Sequence, residues 1–182
     1  HQLERGRMPR FSAADLRRLG QDLFTCVGVP SDEAALVADH MVESGLLGHD
    51  SHSVLRFPQY TDMVRSGKVV PGASLEILRE HDSVVQVNGN WNYGPVTATR
   101  ATELAIERVK DRAMSIVTVR GCNHVARLGR FVHMVAEHEH LIGLMCANGH
   151  GADLAVAPFG GRERRLPTNP IAFGIPTRRD WP

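Results

Sequence analysis

Apolar positions recur at helical spacing in the first third of the chain and gather into short β-branched runs after it. Ser12 stands before Ala13-Ala14-Asp15-Leu16, an N-cap with an acid in the first turn. Leu16, Leu19, Leu23 and Phe24 then mark one helical face, which ends at Gly28 and Pro30. Ser31-Asp32-Glu33 opens a second helix, with Leu36, Val37 and Met41 on one side and Gly45 and Gly48 loosening its end. A third helical stretch is predicted over 54–64, with Gly67 as its stop and Pro71-Gly72 as a turn. Leu75–Ile77 and Val84–Val87 read as strands around the polar Glu80-His81-Asp82-Ser83. The period turns helical again over 94–112, with Ala101, Leu104, Ala105 and Val109 facing one way. Met114 to Val119 predicts a buried strand, Leu128 to His138 a helix, and Leu141 to Cys146 another strand.

This order predicts an α/β protein with a helical N-terminal segment over 11–73, followed by an α/β layer over 74–182. The run Ile171-Ala172-Phe173-Gly174-Ile175 reads as a strand close to the last residue. A strand in that position predicts a fold that is incomplete at its C-terminus.

Composition narrows the function classes. Lys+Arg is 21 and Asp+Glu is 20, so no basic excess favours nucleic acid. No apolar run reaches the ~18–20 residues of a membrane span. The charged segment ahead of residue 11 has no apolar stretch behind it and does not read as a secretory signal. The three cysteines, Cys26, Cys122 and Cys146, are odd in number and widely spaced, which favours a reducing cytoplasm over a disulfide framework.

Polar and glycine residues concentrate where α/β proteins place their sites. Gly48-His49-Asp50-Ser51-His52 leads into a stretch in which His52, Arg56 and Tyr60 fall at steps of four. If that stretch is helical, the three project from one face. A histidine titrates near neutrality, and an arginine presents a planar fork to a carboxylate. Together they suit a 2-oxo or 2-hydroxy acid, although the same residues fit a solvated helix start. Gly121-Cys122-Asn123-His124 follows the strand Met114–Val119, at the edge where sheets bind ligands. Asn148-Gly149-His150-Gly151 and Pro158-Phe159-Gly160-Gly161 form a glycine-bearing loop region, and Thr168-Asn169-Pro170 precedes the last strand. Gly89-x4-Gly94 is not the Rossmann glycine pattern, and no phosphate loop occurs. Ten histidines raise the question of zinc, but there is no His-Glu-x-x-His and no cysteine pair of finger spacing, so no metal site is expected.

In order and spacing, Asp50-Ser51-His52-x3-Arg56-x3-Tyr60, Asn123-His124, Val156 to Gly161 and Thr168 to Phe173 resemble the type-2 malate/L-lactate dehydrogenase family. The resemblance runs from about Phe11 to Pro176. It implies NAD or NADP bound on a mixed-sheet, non-Rossmann fold. It also implies interconversion of a 2-hydroxy acid and its 2-oxo acid, or of an amino acid and its imine, in a homodimer. Carried over residue by residue, His124 and His52 are the acid/base candidates, Ser51 supports His52, and Arg56 with Tyr60 holds the substrate carboxylate. Asn148, Gly149, Pro158, Gly160, Gly161, Thr168 and Asn169 fall to the cofactor side of the site. Ser53, Cys122, Val125-Ala126 and Pro167 depart from the family pattern, where glycine, serine, Phe-Gly and glycine are usual. The family's further segment, with an acid that orients a catalytic histidine, lies beyond this sequence.

Three readings follow. The first is an NAD(P)-dependent dehydrogenase or its N-terminal half, with the cyclic imine reductases as a variant. The second is a non-catalytic half-domain that only dimerises or binds ligand. The third is a histidine-rich metal-dependent hydrolase.

Overall fold

The computed structural model describes residues 10–149 and 156–177. His150 and Gly151 of the glycine-bearing loop lie outside the described residues, as does the segment 1–9. Helix α1 spans Ala13–Cys26, and the Ser12 hydroxyl caps it by accepting the Asp15 amide. Helix α2 spans Ser31–Leu46. Two single 3-10 turns follow, Asp50–His52 and Val54–Arg56, and then α3, Phe57–Arg65. Strands β1 (Glu76–His81) and β2 (Val84–Asn88) form an antiparallel hairpin. Helix α4 (Gly94–Val109) crosses over to β3 (Ile116–Arg120), which pairs parallel with β2. Helix α5 covers Gly129–Ala136, and β4 (Gly143–Cys146) pairs antiparallel with β5 (Ile171–Gly174) in a separate ribbon. The result is a mixed α/β chain, helices first and a small mixed sheet after them.

Phe24, Val37, Ala38, Met41, Phe57 and Tyr60 meet Tyr93 and Val96, so the first three helices share one core with the start of α4. Gly20 allows α1 to press against its neighbours. A Cβ there would stand 2.5 Å from the Phe57 ring and 2.8 Å from the Ala38 methyl. Glu33, 2% exposed, ties this core together. Its carboxylate accepts the Gly72 amide at 2.8 Å, the Asn92 side-chain amide at 2.9 Å and the Arg100 guanidinium at 2.8 Å.

Several expectations need correction. The stretch 54–64 is not one helix. Pro58 has no amide to donate and is accommodated only in a first turn, so α3 starts at Phe57. Ser53 is extended, and its hydroxyl donates to the Asp50 carbonyl. His52 therefore does not share a helical face with Arg56 and Tyr60. The polar Glu80-His81 belongs to β1, and the turn is made at Asp82, with φ 51°. Leu19 and Leu23 are exposed, because the buried side of α1 runs through Gly20 and Phe24. The helix over 94–112 stops at Val109. The strand over 114–119 is not buried. As β3 it lies at the end of the sheet order, and Ile116 is 41% exposed.

Candidate functional site

The loop after β3 and the turns before α3 bring two histidines together. The rings of His52 and His124 stack with centroids 5.3 Å apart and planes 24° from parallel. The Ser51 hydroxyl lies 2.8 Å from Nδ1 of His52. His49, not among the residues expected from sequence, sets its ring edge-on to His52 at 6.5 Å. Burial, then the Arg56 guanidinium and then His49 hold His52 below the ordinary histidine value, so its neutral form prevails at neutral pH. Arg56 donates from Nε to the Ser51 carbonyl at 2.7 Å and from its terminus to Gln59. Its guanidinium is thereby fixed beside the Ser51-His52 turn.

Tyr60 turns its hydroxyl to His124. The oxygen lies 2.8 Å from His124 Nδ1 and 3.1 Å from the His124 carbonyl. A hydroxyl has one proton to give. Both contacts are hydrogen bonds at once only if Tyr60 donates to the carbonyl and accepts the Nδ1 proton. That arrangement puts a proton on Nδ1, the nitrogen that faces Tyr60. Burial raises the Tyr60 phenol well above its ordinary value, so it stays a hydroxyl. Tyr93 steadies it. Their rings stack at 5.4 Å, and the Tyr93 hydroxyl donates to the Tyr60 carbonyl. In this structure Tyr60 thus faces a histidine 64 residues away, a partner that local spacing does not reveal.

The other sequence candidates form a second group on the β4–β5 ribbon. The hairpin ladder continues past the strands, from the Ala147 amide to the Pro170 carbonyl and from the Gly149 amide to the Thr168 carbonyl at 3.3 Å. Asn148, Thr168 and Asn169 are exposed on it. Pro158 and Gly161 close a turn through the Gly161 amide, with Gly160 at φ 75°. These exposed amide and hydroxyl groups are a donor set that suits the polar portions of a nicotinamide cofactor. The Cys122 thiol is pushed up to about 11 by burial, so it is a thiol, not a thiolate nucleophile, at neutral pH. Among the described residues, no three His, Cys, Asp or Glu side chains are grouped to hold a metal ion. No described helix is long and apolar enough to cross a membrane.

A neutral histidine stacked on a second histidine, with a fixed arginine alongside, is an arrangement capable of acid–base chemistry on an acidic, oxygenated small molecule. Comparisons with known proteins give the family. The chain belongs to the malate/L-lactate dehydrogenase family, whose model matches residues 11–182. It is 37% identical over 170 residues to L-sulfolactate dehydrogenase of Methanothermobacter thermautotrophicus, covering 93% of this chain and 49% of that protein. It is 36% identical over 166 residues to malate/(S)-sulfolactate dehydrogenase of Methanothermus fervidus, covering 91% and 48%. The solved malate dehydrogenase of Pyrococcus horikoshii superposes with a TM-score of 0.89 at 35% identity, covering 94% of this chain and 48% of that one. The chain spans about half the length of the relatives it matches.

Proposed function

We propose that this chain carries the acid–base and carboxylate-binding half of an NAD(P)-dependent oxidoreductase that interconverts a 2-hydroxy acid and its 2-oxo acid. The observation that carries the reading is the stacked His52–His124 pair, with Tyr60 anchoring Nδ1 of His124. His124 Nε2 gives the proton to the substrate oxygen during reduction and takes it back during oxidation. His52, kept neutral, orients that oxygen. Arg56 binds the carboxylate with its planar fork, which fixes C2 for transfer. Asn148, Gly149, Thr168 and Asn169 hold the cofactor, with the Pro158–Gly161 turn beside them. When bound, the cofactor supplies or accepts the hydride. The substrate motif sits on the segment 11–73 and the cofactor groups on 74–182. The named substrates of the relatives, malate and sulfolactate, support a small acid that carries a second acidic group.

The test is oxidation of NADH and NADPH by the full-length protein with a panel of 2-oxo acids, followed by single-turnover hydride transfer in His124→Ala and His52→Ala. The expected result is transfer abolished in His124→Ala and weakened in His52→Ala. Near-normal transfer in His124→Ala with none in His52→Ala reverses the two roles. No reduction of any 2-oxo acid by the unaltered protein overturns the reading.

A further inference from the structure

His124 sits on a short loop, and a loop histidine holds a proton-transfer geometry only if its backbone is held. Three features of this chain hold it. The first is a close approach to α4. Gly94 opens that helix, and the backbone of Asn123 and His124 lies directly against it. A Cβ on Gly94 would overlap the carbonyl group of His124 and stand 2.5 Å from the Asn123 carbonyl oxygen. No side chain fits there without moving the loop. This carbonyl of His124 is the one that accepts the Tyr60 hydroxyl, so displacing it also breaks the anchor on Nδ1.

The second feature is Asn123 itself. Its side-chain amide donates to the carbonyls of Lys68 at 3.1 Å, Trp91 at 2.8 Å and Asn92 at 3.1 Å. One side chain thus ties the histidine loop to two other segments. The third feature is the bend that presents the Trp91 and Asn92 carbonyls. Asn90 and Trp91 are both left-handed, at φ 50° and 60°, a conformation that L side chains rarely adopt in succession. Asn92 beyond it is held by the buried Glu33 carboxylate. The bend, the amide and the missing Cβ all converge on the backbone of His124.

We infer that Gly94 and Asn123 are the positioning residues that hold His124 at its proton-transfer station, acting through its backbone and through Tyr60. The inference rests on the reading of His124 as the acid/base group. It also makes a claim independent of turnover, because displacing the loop releases Nδ1 from Tyr60 and frees the ring to change tautomer.

The experiment uses full-length protein carrying Gly94→Ala or Asn123→Asp. The aspartate keeps the shape of Asn123 and removes its donors. Each variant is measured for kcat, for KM, for its unfolding midpoint and for the tautomer of His124 by nitrogen-detected NMR. The expected result in a folded variant is a kcat lower by about 100-fold with KM within about threefold of the unaltered value. In the NMR spectra, the single Nδ1-protonated signal is expected to give way to a mixture. If Gly94→Ala does not fold, Asn123→Asp decides. Folded variants with unaltered kcat and an unaltered His124 tautomer overturn the inference. If the unaltered protein reduces no 2-oxo acid, the functional reading fails by itself, and the tautomer spectra still judge the positioning.

Discussion

His40 should make this protein sensitive to mild acid. It lies in α2, 0% exposed, with its ring 5.3 Å from that of Phe131. Nε2 accepts the Arg127 amide at 3.2 Å, so the ring is neutral with its proton on Nδ1. Nδ1 has no hydrogen-bond partner among the described residues. Burial, then the Arg130 and Arg127 guanidiniums, depress the folded-state value to about 3, against 6.5 for an unperturbed histidine. Between those values the unfolded chain binds a proton that the folded chain refuses, so stability falls as pH falls. Linkage sets the loss at roughly 2–3 kcal/mol between about pH 7.5 and about pH 4.5. Asp39 does not confuse this window, because Arg17 and Arg130 outweigh the cost of its burial and hold its carboxyl below the ordinary value. The assay is urea unfolding at the two pH values for the unaltered protein and for His40→Gln, whose Oε1 can still accept the Arg127 amide. His52 has a depressed value of the same sign, but it is present in both proteins and cancels in the comparison. The variant should lose roughly 2–3 kcal/mol less on acidification, with the slope on urea unchanged. Equal losses in the two proteins would mean that His40 is not the source of the acid sensitivity.

Two other substitutions probe the site and its support. Arg56→Met should raise KM for the 2-oxo acid by about 10- to 100-fold, since a charged hydrogen-bonding partner is worth ~1.5–3 kcal/mol. It should also move the NMR titration midpoint of His52 upward by removing a neighbouring cation, and unchanged values of both would sink the assignment. Glu33→Ala strips an acceptor from the Gly72 amide, Asn92 and Arg100, and should destabilise the fold by about 3 kcal/mol in urea unfolding. A loss below about 1 kcal/mol would mean that water replaces the carboxylate at those donors.

Local chemistry made α1 and the first turn of α2 legible. Ser12 caps the one, and Asp32-Glu33 opens the other. Pro58 also carried a readable signal, because a proline inside a proposed helix places that helix's first turn. The step-of-four pattern of His52, Arg56 and Tyr60 was the stronger lure, and Ser53 breaks it. What stayed hidden was tertiary. The pairing of Tyr60 with His124 closes across three strands' worth of intervening chain, and nothing near either residue announces it. His40 sits among Val37 and Met41 and reads as one polar break in an apolar stripe. In the ribbon, apolar periodicity located β4 and β5 but not which side would be covered. Gly143 and Gly174 face α5, where a Cβ on Gly174 would overlap the Val132 carbonyl and one on Gly143 would press on the Val135 side chain. The opposite face, with Leu144 65% and Phe173 68% exposed, is equally apolar. Hydrophobicity alone could not distinguish the two.

On the proposed reading the two stacked histidines divide their work for an electrostatic reason. Two imidazolium rings 5.3 Å apart repel by about 3 kcal/mol at an effective dielectric of ~20, so the pair is poorly suited to holding two protons together. Burial and the cation of Arg56 weigh against the charge on His52, the ring nearer that arginine in sequence. In the proposed function the proton-transfer role accordingly goes to His124. There Tyr60 accepts from Nδ1 whether or not Nε2 is protonated, so the ring need not reorganise when the proton leaves. Arg56 then has two consequences from one charge. It offers a carboxylate its counter-ion, and it adds to the burial that holds His52 below the ordinary histidine value. A substrate carboxylate bound at Arg56 would soften the second effect. The proposed function thus couples proton transfer and substrate binding through this one side chain, so its removal should shift both KM and the titration of His52.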